Sequence, residues 1–286
     1  MKKKGPISIL YTIASPNNIQ LFLVFTFYGV FAVGPLQFYN VMIEDDLRAV
    51  YKVGVPLVSI VIALLLRRRN YPEKYSQVFY GFFVASSAFL LQWLVFRFVS
   101  YPITVENLAL EKIALVTMTI VPIMVLTKIS GKSLGSVMIK KGKLKQSLII
   151  GLGFFTFFAA TAVTSATSLF NSQGITIDKV LGWAPWILLW VLSNGLLEES
   201  IYRGLFLEKY GAFFGLRSSN LLQSIIFCSI HLEVAYTPEP YLFVLLTFLL
   251  GLAWGYIVQR TESILGSVLF HAGTDIPIII SIFSTL

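Results

Sequence analysis

Apolar residues fill runs of about twenty along most of this chain, and polar residues gather in the short intervals between them. Runs of that length match the hydrocarbon thickness of a bilayer when wound as helices. Nine spans are expected, at about Asn18–Tyr39, Val50–Leu66, Tyr75–Val99, Leu110–Thr127, Gln146–Phe170, Leu181–Leu207, Ser218–Leu232, Tyr241–Gln259 and Ser263–Phe283. The second and seventh are short, so the count is eight to nine. The pattern predicts an all-α fold, a polytopic transmembrane helical bundle. The strict alternation of a membrane β-barrel is absent from the sequence.

Composition strengthens this picture. The chain has 286 residues, 56% of them hydrophobic and only 13% charged. Its mean hydropathy is +0.79. A soluble protein of this length needs far more charged surface. The net charge of +8 does not call for nucleic acid, because lysine and arginine are placed as basic loops on one side of a membrane. With the N-terminus inside, sixteen Lys and Arg fall on the inner side and five on the outer, with Arg203 inside a span. The orientation expected is therefore a cytoplasmic N-terminus in a cell membrane, of a prokaryotic type. The acidic run Glu44-Asp45-Asp46 falls outside. Lys2-Lys3-Lys4 resembles the start of a signal peptide, but Ile7–Ala14 is short and broken by Ser8 and Thr12, and Pro16 stands where a small-residue cleavage site belongs. This end is expected to be retained.

The longest basic connection, Lys128–Gln146, carries Leu134, Val137, Met138 and Leu144 among its lysines. It reads equally as an amphipathic helix on the inner leaflet or as a solvated loop. It also marks a boundary between residues 1–145, an N-terminal transmembrane region, and 146–286, which holds every candidate site residue. Gly251 and Gly255 form a small-xxx-small pair suited to helix packing.

The chemistry sits in the apolar spans. The only two histidines, His231 and His271, and the run Glu198-Glu199-Ser200-Ile201-Tyr202-Arg203 all lie where ionisable groups are costly. Adjacent glutamates on a helix point about 100° apart. Glu199 and Arg203 are four apart and suited to an ion pair, which frees Glu198 to face a polar cavity as a general base on water. His271 and Asp275 also share a face. Counted from the inner ends of their spans, Glu198, His231 and His271 lie at similar depth, roughly 12–20 Å in. A Cys228–His231 pair is allowed by spacing, but no cation near Cys228 in sequence lowers its pKa. Helix locking by Glu199 and Arg203 and packing by either histidine are the bland alternatives, and the joint occurrence of all these groups favours function. No His-Glu-x-x-His, Gly-x-Ser-x-Gly or phosphate-loop sequence is present.

Glu198-Glu199-x-x-x-Arg203, Phe227-x-x-x-His231 and His271-x-x-x-Asp275, in this order on separate spans, resemble the three motifs of the CPBP intramembrane proteases. That family includes the type 2 CAAX prenyl proteases and the bacterial Abi proteins. The resemblance covers about Leu181–Phe283. It implies an endopeptidase that hydrolyses a peptide bond in a membrane-associated or prenylated peptide within a cavity open toward the cytoplasm. Glu198 and His231 would activate water, His271 and Asp275 would stabilise the oxyanion or complete the site, and Glu199 and Arg203 would support it. CAAX proteases usually carry asparagine at the position of Asp275. An amide can donate to an oxyanion and an ionised carboxylate cannot, so Asp275 could instead orient His271 or bind a metal, and the three roles stay open. The resemblance is compatible with a divalent metal such as Zn²⁺ on Glu198, His231 and His271, and equally with metal-free catalysis. The expected partners are the lipid bilayer and a peptide or protein substrate within it. Two rival functions fit the same intramembrane groups: a proton- or ion-coupled transporter, and a non-catalytic scaffold or bacteriocin-immunity protein.

Overall fold

The computed structural model describes residues 16–33, 45–232, 234 and 237–286. The N-terminal segment with Lys2–Lys4, residue Glu44 and the last part of the first expected span, 34–39, lie outside the described residues. Among the described residues the fold is entirely helical, without a strand. The α-helices are α1 (Pro16–Val33), α2 (Asp45–Arg68), α3 (Glu73–Phe96), α4 (Val105–Ile129), α5 (Leu144–Ala160), α6 (Ala162–Phe170), α7 (Ile177–Glu199), α8 (Leu207–Ser229), α9 (Pro240–Thr261) and α10 (Leu265–Phe283).

Local signals set several boundaries. Thr104 and Thr176 cap α4 and α7 by accepting from the backbone N–H groups of Asn107 and Lys179. Asn171 and Glu262 take left-handed φ values of 53° and 59° and end α6 and α9. The bends have equally local causes. At Thr161 the chain turns by 67°, so the single expected span 146–170 is a bent pair, α5 and α6. The sixth and seventh expected spans run together as one helical stretch of 53 residues. Such a stretch, if straight, would be about 80 Å long, far more than a bilayer needs. It is broken at Gly215, where φ is 75° and ψ 176°. The limb beyond Gly215 buries Ser218, Ser219, Gln223 and Ser224, so it faces protein rather than lipid.

Six helices are long and apolar enough to cross a membrane, or seven with the bent pair taken as one, and α1 is a shorter apolar helix. The eight to nine spans expected from sequence are reduced because two of them are one bent run and the first falls short among the described residues. The molecule is a multi-pass helical membrane protein.

The most enclosed helix is α10, with 78% of its apolar window buried against 17% for α2. It packs on α5, α6, α7 and α9. The main core joins both halves of the chain: Phe25, Phe82 and Val116 pack in one cluster with Tyr210, Phe227, Trp254 and Phe270. The basic connection is neither an amphipathic helix nor a free loop. A short 3-10 helix, Leu134–Val137, buries Val137, and Lys143 N–H donates to Thr261 C=O at 2.7 Å. Gly142 permits this approach, because a Cβ there would collide with Thr261 C=O.

Two ends of the bundle follow from such contacts. One end is basic and gathers Arg67, Lys132, Lys143 and Arg260, tied by Lys132–Glu73 and Lys143–Glu262 pairs. The opposite end joins α6 to α9 through Phe170 and Phe243, and Ser172 to α10 through a 2.7 Å bond to Ser281.

Candidate active site

The helix carrying the two glutamates changes character just after them. Ser200–Phe206 forms a π-helical turn, and all seven of its residues are buried. Wide π turns of this kind recur at functional sites. Gly204 lets the turn lie against the 3-10 helix, since a Cβ would stand 2.8 Å from Val137 C=O.

Within this frame Glu199 is completely buried. One of its oxygens, Oε1, accepts from Arg203 Nη1 at 2.7 Å and from His271 Nδ1 at 2.9 Å. The ion pair expected from the spacing is therefore present, and it also reaches the next motif. Arg203 is fully buried as well. Its Nη2 donates to Gly251 C=O at 3.2 Å, and its guanidinium carbon lies 4.4 Å from the Phe227 ring and 5.1 Å from that of Trp254. Gly251 allows this contact, because a Cβ there would sit 3.1 Å from Nη2. The expected packing role of Gly251 thus includes seating Arg203.

The Glu199 bond fixes His271. A carboxylate can only accept, so Nδ1 carries hydrogen and Nε2 is the nitrogen turned to the other acids. Nε2 stands 3.5 Å from Glu198 Oε2 and 3.7 Å from Asp275 Oδ1. The ring stacks on Trp254 with centroids 4.0 Å apart and planes 8° apart. His231 is fixed in the same tautomer by a 3.1 Å bond from Nδ1 to Phe227 C=O. Phe227 lies between the two imidazoles, with centroids 4.8 Å from His231 and 5.9 Å from His271.

Glu198 is the freer glutamate, and its Oε2 makes no hydrogen bond although it is buried. Asp275 is held differently: Asn194 Nδ2 donates to its Oδ2 at 2.8 Å. Glu198, His231, His271 and Asp275 all line one cavity of about 850 Å³. All four residues singled out in the sequence are brought together, and Glu199 and Arg203 stand directly behind them. Cys228 does not line this cavity; its Sγ donates to Ile225 C=O at 3.3 Å.

Three further residues belong to the site. Asn194 carried a signal, because it precedes Glu198 by four in an apolar span, the same spacing as Glu199 and Arg203. Trp254 carried none, since a tryptophan in a span reads as packing. Lys112, counted with the outer loops in sequence, lies inside α4 and lines the cavity, its Nζ 4.6 Å from the Trp190 ring centre.

Among the described residues no three His, Cys, Asp or Glu side chains are grouped so as to hold a metal ion. Both nitrogens of His271 already face carboxylates, and one nitrogen of His231 is tied to a carbonyl.

The cavity lining runs as far as Leu169, Phe170, Pro238, Glu239 and Ile282, and none of Arg67, Lys132, Lys143 and Arg260 lines it.

Fold and site together define a helical membrane protein with a buried carboxylate–histidine cluster opening into a cavity. The comparison with known families agrees with this class: the family model of the type II CAAX prenyl endopeptidase Rce1-like proteins matches residues 180–277. The matched stretch, about a third of the chain, runs from α7 into α10 and contains all seven motif residues. No curated protein matches, and no solved structure matches.

Proposed function

We propose that this protein is an intramembrane endopeptidase that cleaves a membrane-associated peptide with a water activated by Glu198 and His231. The observation that carries this reading is the His271 ring, held on one nitrogen by Glu199 and facing Glu198 and Asp275 with the other, at the wall of a cavity large enough for a peptide segment. The family match over the same stretch supports it.

Glu198 supplies the base. Its Oε2 has no competing hydrogen bond and can take a proton from water. The Nε2 lone pair of His231 accepts the second hydrogen of that water and orients it. The resulting hydroxide attacks the scissile carbonyl carbon, and the C=O electron pair moves to oxygen. His271 in its protonated form donates from Nε2 to that oxyanion, while Glu199 behind Nδ1 and Asp275 beside Nε2 compensate the positive ring. The Trp254 face adds a cation–π contribution. When the carbon–nitrogen bond breaks, the proton on Glu198 passes to the leaving amine. Asp275, restrained by Asn194, acts in this scheme as the partner of His271 and not as an oxyanion donor.

The lysine and arginine distribution supports a basic end on the cytoplasmic side, and the membrane of this reading is a prokaryotic cell membrane. Mass spectrometry of membrane peptides from cells with the wild-type chain, Glu198→Ala or His231→Ala tests the activity. New peptide termini are expected with the wild type alone. Their persistence in both variants overturns the proposal. A chelator arm is expected to leave cleavage unchanged, and loss of cleavage restored by Zn²⁺ would replace the metal-free mechanism.

A further inference from the structure

Two independent features of the molecule disagree with a cytoplasmic opening. The first is the charge pattern, which puts Arg67, Lys128, Lys143 and Arg260 on the cytoplasmic side. The second is the course of the cavity. It passes from Glu198 and His271 along the second half of α10 to Ile282, along the first part of α9 to Glu239, and to Phe170 at the end of α6. Each of these positions lies toward the end of the bundle away from Arg67, Lys128, Lys143 and Arg260. At that end Pro238 and Glu239 are exposed. At the basic end, the 3-10 helix, the π turn and the Lys143–Thr261 contact close the bundle beneath the cluster.

We infer that the site takes its substrate from the non-cytoplasmic side of the membrane. Its substrate class is then a peptide that is exported or exposed at the outer leaflet, rather than the tail of a cytosolic protein. The inference deepens the peptidase reading and rests on it for the word substrate, whereas the direction of access rests only on the cavity and the charge pattern.

Cysteine accessibility tests the direction without any turnover, so its failure is distinguishable from failure of the peptidase reading. In a Cys228→Ser background, Ser165→Cys and Thr247→Cys place thiols on the cavity wall, and Lys143→Cys places one at the basic end. A membrane-impermeant maleimide is applied to intact cells and to inverted vesicles. The two cavity cysteines are expected to label in intact cells, and Lys143→Cys only in inverted vesicles. Labelling of both cavity cysteines from the Lys143 side, or from neither side, overturns the inference. Each variant is first shown to elute as wild type in detergent, and the two cavity positions guard against one being misfolded.

Discussion

Glu199 Oε1 stands 2.9 Å from His271 Nδ1, and the same oxygen takes the 2.7 Å bond from Arg203. One buried oxygen thus joins the second glutamate of the first motif to the histidine of the third. It holds the hydrogen on Nδ1 and stands ready to compensate a charged ring, the part played by the carboxylate behind a catalytic histidine in hydrolases. Glu199→Gln keeps the shape and removes the charge. Turnover is expected to fall by about 10²–10⁴-fold with little change in KM, since the loss is of transition-state charge compensation. Peptide cleavage measured over a range of substrate concentrations separates the two parameters, and unchanged turnover would dismiss the role.

The Glu199–Arg203 pair also makes a stability prediction. Both side chains are fully buried. Removing one partner leaves an uncompensated charge in the core, at a cost of about 3–5 kcal/mol. Glu199→Leu and Arg203→Met are each expected to lower the melting temperature in detergent. The double variant should recover most of the loss and remain inactive. Additive losses in the double variant would show that the two charges do not compensate each other.

Glu198→Gln is expected to behave in the opposite way. Glu198 Oε2 is buried without a hydrogen bond and meets His271 Nε2 only at 3.5 Å, so an amide there removes a charge that is weakly held. Activity should drop by about 10²–10⁴-fold, the usual range for a lost general base, while thermal stability stays the same or rises. A large fall in melting temperature would make Glu198 a structural residue.

Much of this site was legible because the bilayer makes polar residues conspicuous. Glu198, Glu199, Arg203, His231, His271 and Asp275 stood out in apolar runs, and helical spacing alone paired Glu199 with Arg203. Spacing could not show that Glu199 also reaches His271, because that contact depends on how α7 and α10 cross. For the same reason Asp275 was open to several roles in sequence, and its restraint by Asn194 became visible only across the helix interface. The fold class followed from the length of the apolar runs, and the lower span count did not. A hydropathy run does not distinguish a straight helix from one bent at Thr161, or a spanning helix from a buried limb after Gly215.

Asn194 gives a prediction about positioning. Its amide is the hydrogen-bond partner of Asp275 Oδ2 at 2.8 Å. Asn194→Ala frees the carboxylate beside His271 Nε2. Activity is expected to fall by about 10-fold to 10²-fold, the scale of a misplaced group near the reacting atoms. Asn194→Gln, which cannot place its amide at the same distance, should not restore it. Equal activity in Asn194→Ala and the wild type would remove Asp275 orientation from the mechanism.

Lys112 is the only lysine or arginine on the cavity wall among the described residues, and it makes a contact with the Trp190 ring but no ion pair. A cation held this way, on a wall it shares with Glu111, Glu198, Glu239 and Asp275, is placed to receive an anionic group of the substrate. The group that every peptide tail carries is its terminal carboxylate. The expected result is that Lys112→Met raises KM for a peptide ending in a free carboxylate by about 10-fold or more, the worth of one charged hydrogen bond. The same peptide ending in an amide should be cut equally by both enzymes, and more weakly than the acid by the wild type. Trp190→Leu, which removes the ring under the ammonium group, should move KM in the same direction by less, since an exposed cation–π contact is worth about 0.5–1 kcal/mol. If Lys112→Met lowers cleavage of acid and amide peptides alike, the lysine supports the cavity wall and does not select the substrate end.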